Sequence, residues 1–133
     1  MVILIFVDAQ GCRDYIAGAG ENQPPSVSTN EFSINLNDSV VVYLNNRSLS
    51  AIYVIGAYNY IEKKDGEIWI TYDYLNCSGG CPEISVPSKS IISNVSTPIH
   101  DSGTFRFVCL YSVISGTSNE EKIKLFSNEI VVQ

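Results

Sequence analysis

Alternation of apolar and polar side chains with a period of two recurs along most of this 133-residue chain. Phe32, Ile34 and Leu36 alternate with polar residues, and a longer alternating series occupies residues 67–74. Successive side chains of a β-strand point to opposite faces of its sheet, so this period predicts half-buried strands. No window of a dozen residues sustains the 3.6-residue period of a helix, and the chain is therefore expected to be all-β.

Turn residues divide these alternating segments at short intervals. Asp65-Gly66 has the signature of a tight hairpin, and Asn37-Asp38 is typical of a turn. The longest predicted strand, residues 103–113, has an apolar face made by Phe105, Phe107, Cys109 and Tyr111. Eight or nine short strands are expected, with turns about every 8–12 residues, which is the pattern of an antiparallel β-sandwich.

An uninterrupted apolar segment precedes the sandwich and consists of Val2, Ile3, Leu4, Ile5, Phe6 and Val7. A strand that is apolar on both faces needs burial on both faces. Residues 8–23 contain three glycines and predict a flexible linker. The expected domains are residues 1–23, an extra N-terminal strand with its linker, and residues 24–133, the sandwich. Three interpretations of the segment stay open: donation to a neighbouring subunit, pairing within its own sandwich, or a remnant of a signal segment.

The charge balance bears on partners. Fourteen acidic residues against eight Lys and Arg give a net charge of −6. Nucleic acids and anionic membranes reward basic patches, so neither is an expected partner. The longest apolar run is far below the roughly 20 residues of a spanning helix, so no membrane span is expected.

Cysteines and N-glycosylation sequons favour an extracellular or cell-surface location. The Ser-Gly-Gly loop between Cys77 and Cys81 predicts a local disulfide, which leaves Cys12 and Cys109 as a second pair. The alternative for Cys109 is that of a buried, small apolar residue. Four sequons predict N-glycans at Asn37, Asn46, Asn76 and Asn94.

No residue pattern predicts catalysis, a metal or a cofactor. His100, the sole histidine, adjoins Asp101 and Ser102, and neighbouring residues of a loop seldom point at one another. The Cys77–Cys81 spacing lacks the second ligand pair of a zinc site, and no loop has the dense carboxylates that calcium needs. Five tyrosines predict either sheet-face packing or a carbohydrate-binding face: Tyr53, Tyr58, Tyr60, Tyr72 and Tyr74. We therefore expect no enzyme.

Residues 91–105 resemble the E-to-F segment of immunoglobulin-like domains, in which an apolar strand precedes an Asp-x-Gly-x-Tyr motif. The matching residues here are Asp101, Gly103 and Phe105. The resemblance implies that Asp101 bonds backbone at the corner, that Gly103 permits the tight entry and that Phe105 plugs the end of the sandwich. The chain departs from antibody-type domains because Phe105 replaces Tyr and no Cys lies near Val40.

Such cystine-free sandwiches are similar to domains of microbial and archaeal cell-surface proteins. A sandwich behind a detached apolar strand resembles the subunits of donor-strand-complemented archaeal thread filaments. This resemblance implies a glycosylated, pilus-like structural protein whose partners are identical subunits joined head to tail. The alternative function is an extracellular recognition or adhesion module that binds glycan or protein.

Overall fold

The computed structural model describes residues 22–75, 80–118 and 121–133. Within these ranges the chain forms eleven strands: β1 (Ser26–Thr29), β2 (Ser33–Ile34), β3 (Val41–Asn46), β4 (Ile52–Ile55), β5 (Tyr60–Asp65), β6 (Ile68–Tyr74), β7 (Glu83–Val86), β8 (Ser90–Val95), β9 (Gly103–Ser112), β10 (Ile123–Phe126) and β11 (Ile130–Val132). In the same ranges, no helix is long and apolar enough to cross a membrane.

Two sheets of unequal size make up the fold. The smaller sheet has the order β1-β3-β8, and the larger one has the order β2-β11-β9-β4-β7, with β10 and β5 paired to β9 and β6 paired to β5. All pairings are antiparallel except that of β2 with the last strand, β11. The protein is therefore an all-β, immunoglobulin-like and mainly antiparallel sandwich, which confirms the predicted fold class; the predicted extra N-terminal strand lies outside the described residues.

The core lies between the two sheets and follows the predicted alternation. Val42 and Leu44 of β3 are fully buried from one side, and the predicted face of β9 buries its four side chains from the other. The ring of Tyr58 meets that of Phe107 edge-on, with centroids 5.0 Å apart. Each fully buried side chain of this size stabilises the fold by about 1.5–3 kcal/mol relative to exposure.

The predicted corner motif is formed in two of its three residues. Phe105 is fully buried, and the ring of Tyr72 packs edge-on against it with centroids 5.0 Å apart. Gly103 has a φ of 141°, and a Cβ at this position would lie 2.9 Å from Cε of Lys63, so glycine suits both the conformation and the space. The role expected of Asp101 is wrong: its carboxylate is exposed to water and makes no hydrogen bond with the described residues.

Two apolar segments of the chain are each divided into two strands. Residues 52–61 divide into β4 and β5 around Gly56, which has a φ of 70°. Asn59 then satisfies backbone groups of β9, because its Oδ1 accepts from Leu110 N at 2.7 Å. The final segment divides into β10 and β11, and Ser127 Oγ accepts from Phe107 N at 2.9 Å. Side chains thus replace the ladder bonds that each interruption removes.

Candidate assembly and modification sites

Strand β8 forms one edge of the smaller sheet and pairs only with β3 in the described part of the chain. Two bonds show which backbone groups of β3 face β8 and which face β1. Towards β8, Ser96 N donates to Val40 O at 2.8 Å; towards β1, Asn30 N donates to Val41 O at 3.1 Å. Backbone groups of successive strand residues point to opposite sides. The even-numbered residues of β8 therefore bond to β3, and the odd-numbered ones direct N–H and C=O to the open edge: Ile91, Ser93 and Val95.

One amide at this edge is satisfied locally. Val95 N donates to Oδ1 of the adjacent Asn94 at 3.0 Å. The amides of Ile91 and Ser93 have no protein partner in the described ranges. The edge thus offers two free amide donors, together with the carbonyl oxygens of the odd-numbered residues, to a strand that pairs alongside it.

Apolar side chains lie on both faces of the sandwich beside this edge. On the outer face, Ile91 is 60% exposed and Val95 is 63% exposed. On the inner face, Ile92 is half-buried and packs against the core. The outer neighbours on β3 continue the surface, with Val41 opposite Val95 and Tyr43 opposite Ser93. A strand added here would meet apolar surface on each of its two faces.

The predicted donor, residues 2–7, lies outside the described residues, and its pairing stays a prediction. The described chain begins beside the loop that follows β3. Asn22 Oδ1 accepts from Leu49 N at 3.0 Å, and Pro24 O accepts from Arg47 Nε at 3.1 Å. Because Asn46 lies opposite Ser90, this is also the end of the sheet at which β8 begins.

The cysteines divide into a bonded one and a free one. Cys81 is disulfide-bonded, and its partner lies outside the described residues, as do Cys77 and Cys12. Cys109 is a free thiol with no exposed surface, so the predicted Cys12–Cys109 pair is wrong in this structure. Its side chain fills the core between the sheets, where burial raises the pKa of the thiol to about 12 despite the opposing charge of Lys122.

Asn37 is placed as a glycan acceptor should be. It is exposed in a turn with a φ of 72°, and its Oδ1 lies 2.6 Å from Nδ1 of His100. An amide oxygen only accepts, so the histidine nitrogen donates and the Asn37 Nδ2 is left to solvent. The same contact engages the sole histidine with an amide and not with the Asp or Ser beside it.

Asn46 contradicts the predicted glycosylation at its sequon. Its side chain has no exposed surface, and Nδ2, the atom that would carry the sugar, donates to three carbonyl oxygens at 2.9–3.0 Å: those of Ser50, Val86 and Pro87. Oδ1 accepts from the backbone and hydroxyl of Ser48. Every hydrogen-bonding position of the amide is used, so the residue is structural.

The other two sequons differ from both. Asn76 lies outside the described residues, and glycosylation there stays a prediction. Asn94 is half-buried within β8, with its oxygen engaged at the open edge. A sugar on Asn94 would lie against the groups of β8 that are free to pair.

The outer face of the larger sheet contains a ladder of charged and aromatic side chains. Arg106 stacks its guanidinium between the rings of Trp69 and Phe126, 4.2 and 4.0 Å from their centroids, and Nε donates to Glu62 Oε1 at 2.7 Å. These four residues lie on four different strands, so the ladder links four strands across one face of the sheet.

The predicted tyrosine set divides between core and surface. Tyr58 and Tyr72 pack in the core, whereas Tyr60 and Tyr74 pair on the outer face with ring centroids 5.8 Å apart. This pair lines a cavity of about 290 Å³ together with Leu75 and Leu110, among others.

Sequence reasoning missed the open edge of β8. A usable signal was present, because residues 90–95 contain three large apolar residues on both faces, whereas a fully paired surface strand alternates. The sequence pattern does not indicate which strands pair with one another. Whether a strand lies at the edge of a sheet depends on that pairing, so the open edge could not be predicted.

No protein-family model matches the sequence, and no curated protein matches it. Solved structures with some likeness include a PapD-like domain of human CEP192, at 12% identity and a TM-score of 0.39 over 92% of this chain and 94% of that one. Another is a chain from a structure on T-cell activation by the bacterial superantigen toxic shock syndrome toxin-1, at 13% identity and a TM-score of 0.40 over 82% and 99%.

A β-glucosidase from Listeria innocua shows 14% identity and a TM-score of 0.34, over 80% of this chain and 16% of the enzyme. TM-scores below 0.5 give these likenesses no weight on function. The fold rests on the sheet topology described above.

Proposed function

We propose that this protein is a structural subunit of an extracellular filament and that it assembles by donating residues 2–7 to the sandwich of a second copy. The observation that carries the proposal is that the smaller sheet has few strands and an open edge. The three-stranded sheet faces an eight-stranded one, and in the described residues its outer strand β8 has an unpaired edge with apolar surface on both sides. The sequence contains an uninterrupted apolar run of six residues, Val2 to Val7, which lies outside the described strands.

The energetics favour association of this kind. Burying six side chains would stabilise the assembly by about 9–18 kcal/mol, at about 1.5–3 each, before the entropy of association is subtracted. Main-chain bonds add to this total. Donation from one copy to the next is head to tail, and it yields a fibre when the rotation between copies does not close a ring.

Two features support an extracellular setting. Disulfides persist in oxidising compartments, and Cys81 is disulfide-bonded. Asn37 leaves its Nδ2 open to modification. We place the protein at the cell surface, as a glycosylated assembly component with no catalytic role and no cofactor.

The test uses the full chain and two double variants. Ile3→Asp with Ile5→Asp puts unpaired charges into the buried strand and should abolish filaments in electron micrographs and large species in sedimentation. Ile3→Val with Ile5→Val keeps the strand apolar and should assemble as the parent does. Filaments from the Asp variant, or a parent that stays monomeric at high concentration, would contradict the proposal.

A second function is favoured by the cavity beside Tyr60 and Tyr74. Exposed aromatic rings beside a cavity are typical of glycan recognition, and Tyr74 is 68% exposed. Binding of soluble oligosaccharides by the monomer, lost in Tyr74→Ala and retained in Tyr43→Ala, would favour this module over the filament.

A further inference from the structure

We propose that the acceptor for the donated strand is the open edge of β8, and that residues 2–7 of a second copy pair with the backbone of Ile91, Ser93 and Val95. This inference rests on the proposed function and adds the partner site to it. The donor has six residues, and so does the ladder that β8 forms with β3. A strand of equal length can therefore pair along the whole edge.

The two apolar faces beside β8 explain why the donor is apolar throughout. Side chains of an added strand alternate between the inner and outer faces. Three of the six would lie next to Ile92 over the core, and three would cover Ile91 and Val95, which are otherwise more than half exposed. A donor that is apolar on both sides therefore covers Ile92 on one face and Ile91 and Val95 on the other, which an alternating strand would not do.

Three other sheet edges fit the donor less well. β1 presents Ser26 and Ser28 on the outer face, opposite Asn45 and Tyr43. β7 has four residues, and its first, Glu83, holds its carboxylate on Ser115 and Gly116. β6 has seven residues, but the register with β5 shifts by one residue between Ile61 and Glu62, and a bulge twists an edge away from a straight partner.

The side chain of Asn94 occupies one amide of the edge in a way that an incoming strand can replace. Its Oδ1 accepts the Val95 amide in the unassembled subunit, and an incoming strand offers a backbone carbonyl in its place. The exchange replaces one hydrogen bond by another, so the donor gains the free Ile91 and Ser93 amides without leaving Val95 unpaired.

Amide hydrogen exchange of the parent protein tests the edge directly. In the monomer, the Ile91 and Ser93 amides should exchange fast, and in filaments they should slow by about tenfold or more, as newly bonded amides do. Protection of these amides already in the monomer would overturn the proposal in favour of pairing within one chain. No gain of protection on assembly would overturn it as well.

A matched pair of variants separates the acceptor from the donor. Ser93→Pro removes an edge amide that β3 does not use, and proline is tolerated where its nitrogen faces outward, so the fold should persist while assembly is lost. Ser93→Thr keeps the amide and should assemble as the parent does. If Ser93→Pro fails to fold, the exchange measurement decides alone.

The remaining outcomes distinguish the two proposals. Filaments from Ser93→Pro, with none from the Ile3→Asp and Ile5→Asp variant, would overturn the acceptor and leave the proposed function intact. Loss of filaments in Ser93→Pro only, with the donor variant still assembling, would indicate pairing of two β8 edges and would overturn the strand donation itself.

Discussion

The side-chain amide of Asn46 donates a hydrogen bond of 2.9 Å to the carbonyl oxygen of Val86 and so joins the two sheets of the sandwich. Asn46 ends β3 of the smaller sheet, and Val86 ends β7 of the larger one. The chain crosses between the sheets directly after Val86, where ladder bonds stop. The hydrogen bonds of one buried side chain thus connect the two sheets at this corner, where backbone pairing ends.

Removal of this amide should be costly. Asn46→Ala removes the side-chain donor to the buried Val86 carbonyl and the acceptor of the buried Ser48 amide, and we expect a loss of about 2–4 kcal/mol in the free energy of unfolding. Urea denaturation followed by fluorescence of Trp69 measures it. Asn45→Ala, one residue earlier and facing outward, is the control and should cost about 0.5 kcal/mol or less. Equal effects would show that the corner does not depend on the amide.

Cys109 should make stability pH-dependent in alkaline solution. The unfolded thiol ionises near its ordinary pKa of 9.0, whereas the folded one keeps its proton to about pH 12. The contribution is therefore complete below pH 9 and is lost as the pH rises toward 12, by up to about 4 kcal/mol. The difference in unfolding free energy between parent and Cys109→Ala should shrink accordingly. Parallel pH profiles for the two proteins would refute this.

The partner of Cys81 can be identified by mass spectrometry. We expect non-reducing peptide maps to link Cys81 to Cys77 and to show Cys109 as a thiol that alkylates only after denaturation. Reduction should cost about 2 kcal/mol, since the closed loop is short. A linked peptide containing Cys109 would contradict both the map and the burial of its thiol.

Glycopeptide mapping of native material should separate the sequons. Asn37 should be modified and Asn46 should be bare, because one amide nitrogen is open and the other is fully bonded. In filaments Asn94 should also be bare, since a sugar there would occupy the β8 edge. Asn37→Gln should lower the intact mass by one glycan, and an unchanged mass would count against modification at this turn.

The Arg106 ladder should tolerate no change of shape. Arg106→Lys keeps the charge but loses the planar group stacked between Trp69 and Phe126, and we expect a loss of about 1–2 kcal/mol in stability. Lys124→Ala is the control, because its Nζ lies 6.0 Å from the Tyr60 ring centroid, and it should cost about 0.5 kcal/mol or less. Thermal melts of both variants provide the comparison.

The parts of the fold that could be predicted from the sequence are those that depend on local patterns, namely the period-two alternation and the turn residues. Alternation identified the buried face of β9, and Asp65-Gly66 identified the β5–β6 hairpin, where Gly66 has a φ of 64°. The breaks at Gly56 and Ser127 could not be predicted, because Asn59 and Ser127 compensate them by bonding to backbone amides of β9, which is distant in sequence. Such compensation is a tertiary effect that no local pattern contains.

The candidate sites show the same limit. A sequon records a modification motif but not whether its asparagine faces water, so Asn37 and Asn46 look alike in sequence and have opposite environments. An even number of cysteines suggested two pairs, but the alternation that buries Cys109 within β9 was the better guide. The open edge of β8 needed the pairing of β3 to be known.

The parallel pairing of β2 with β11 gives the subunit a direction of mechanical strength. Three backbone bonds join this part of the chain to the C-terminal strand: Leu36 N to Gln133 O, Val131 N to Phe32 O and Gln133 N to Ile34 O. Because the strands run the same way, a pull on the N-terminal side of β2 against Gln133 slides one along the other and loads all three bonds together. Bonds that must break at once resist tension better than bonds peeled one by one, which suits a link in a chain under load.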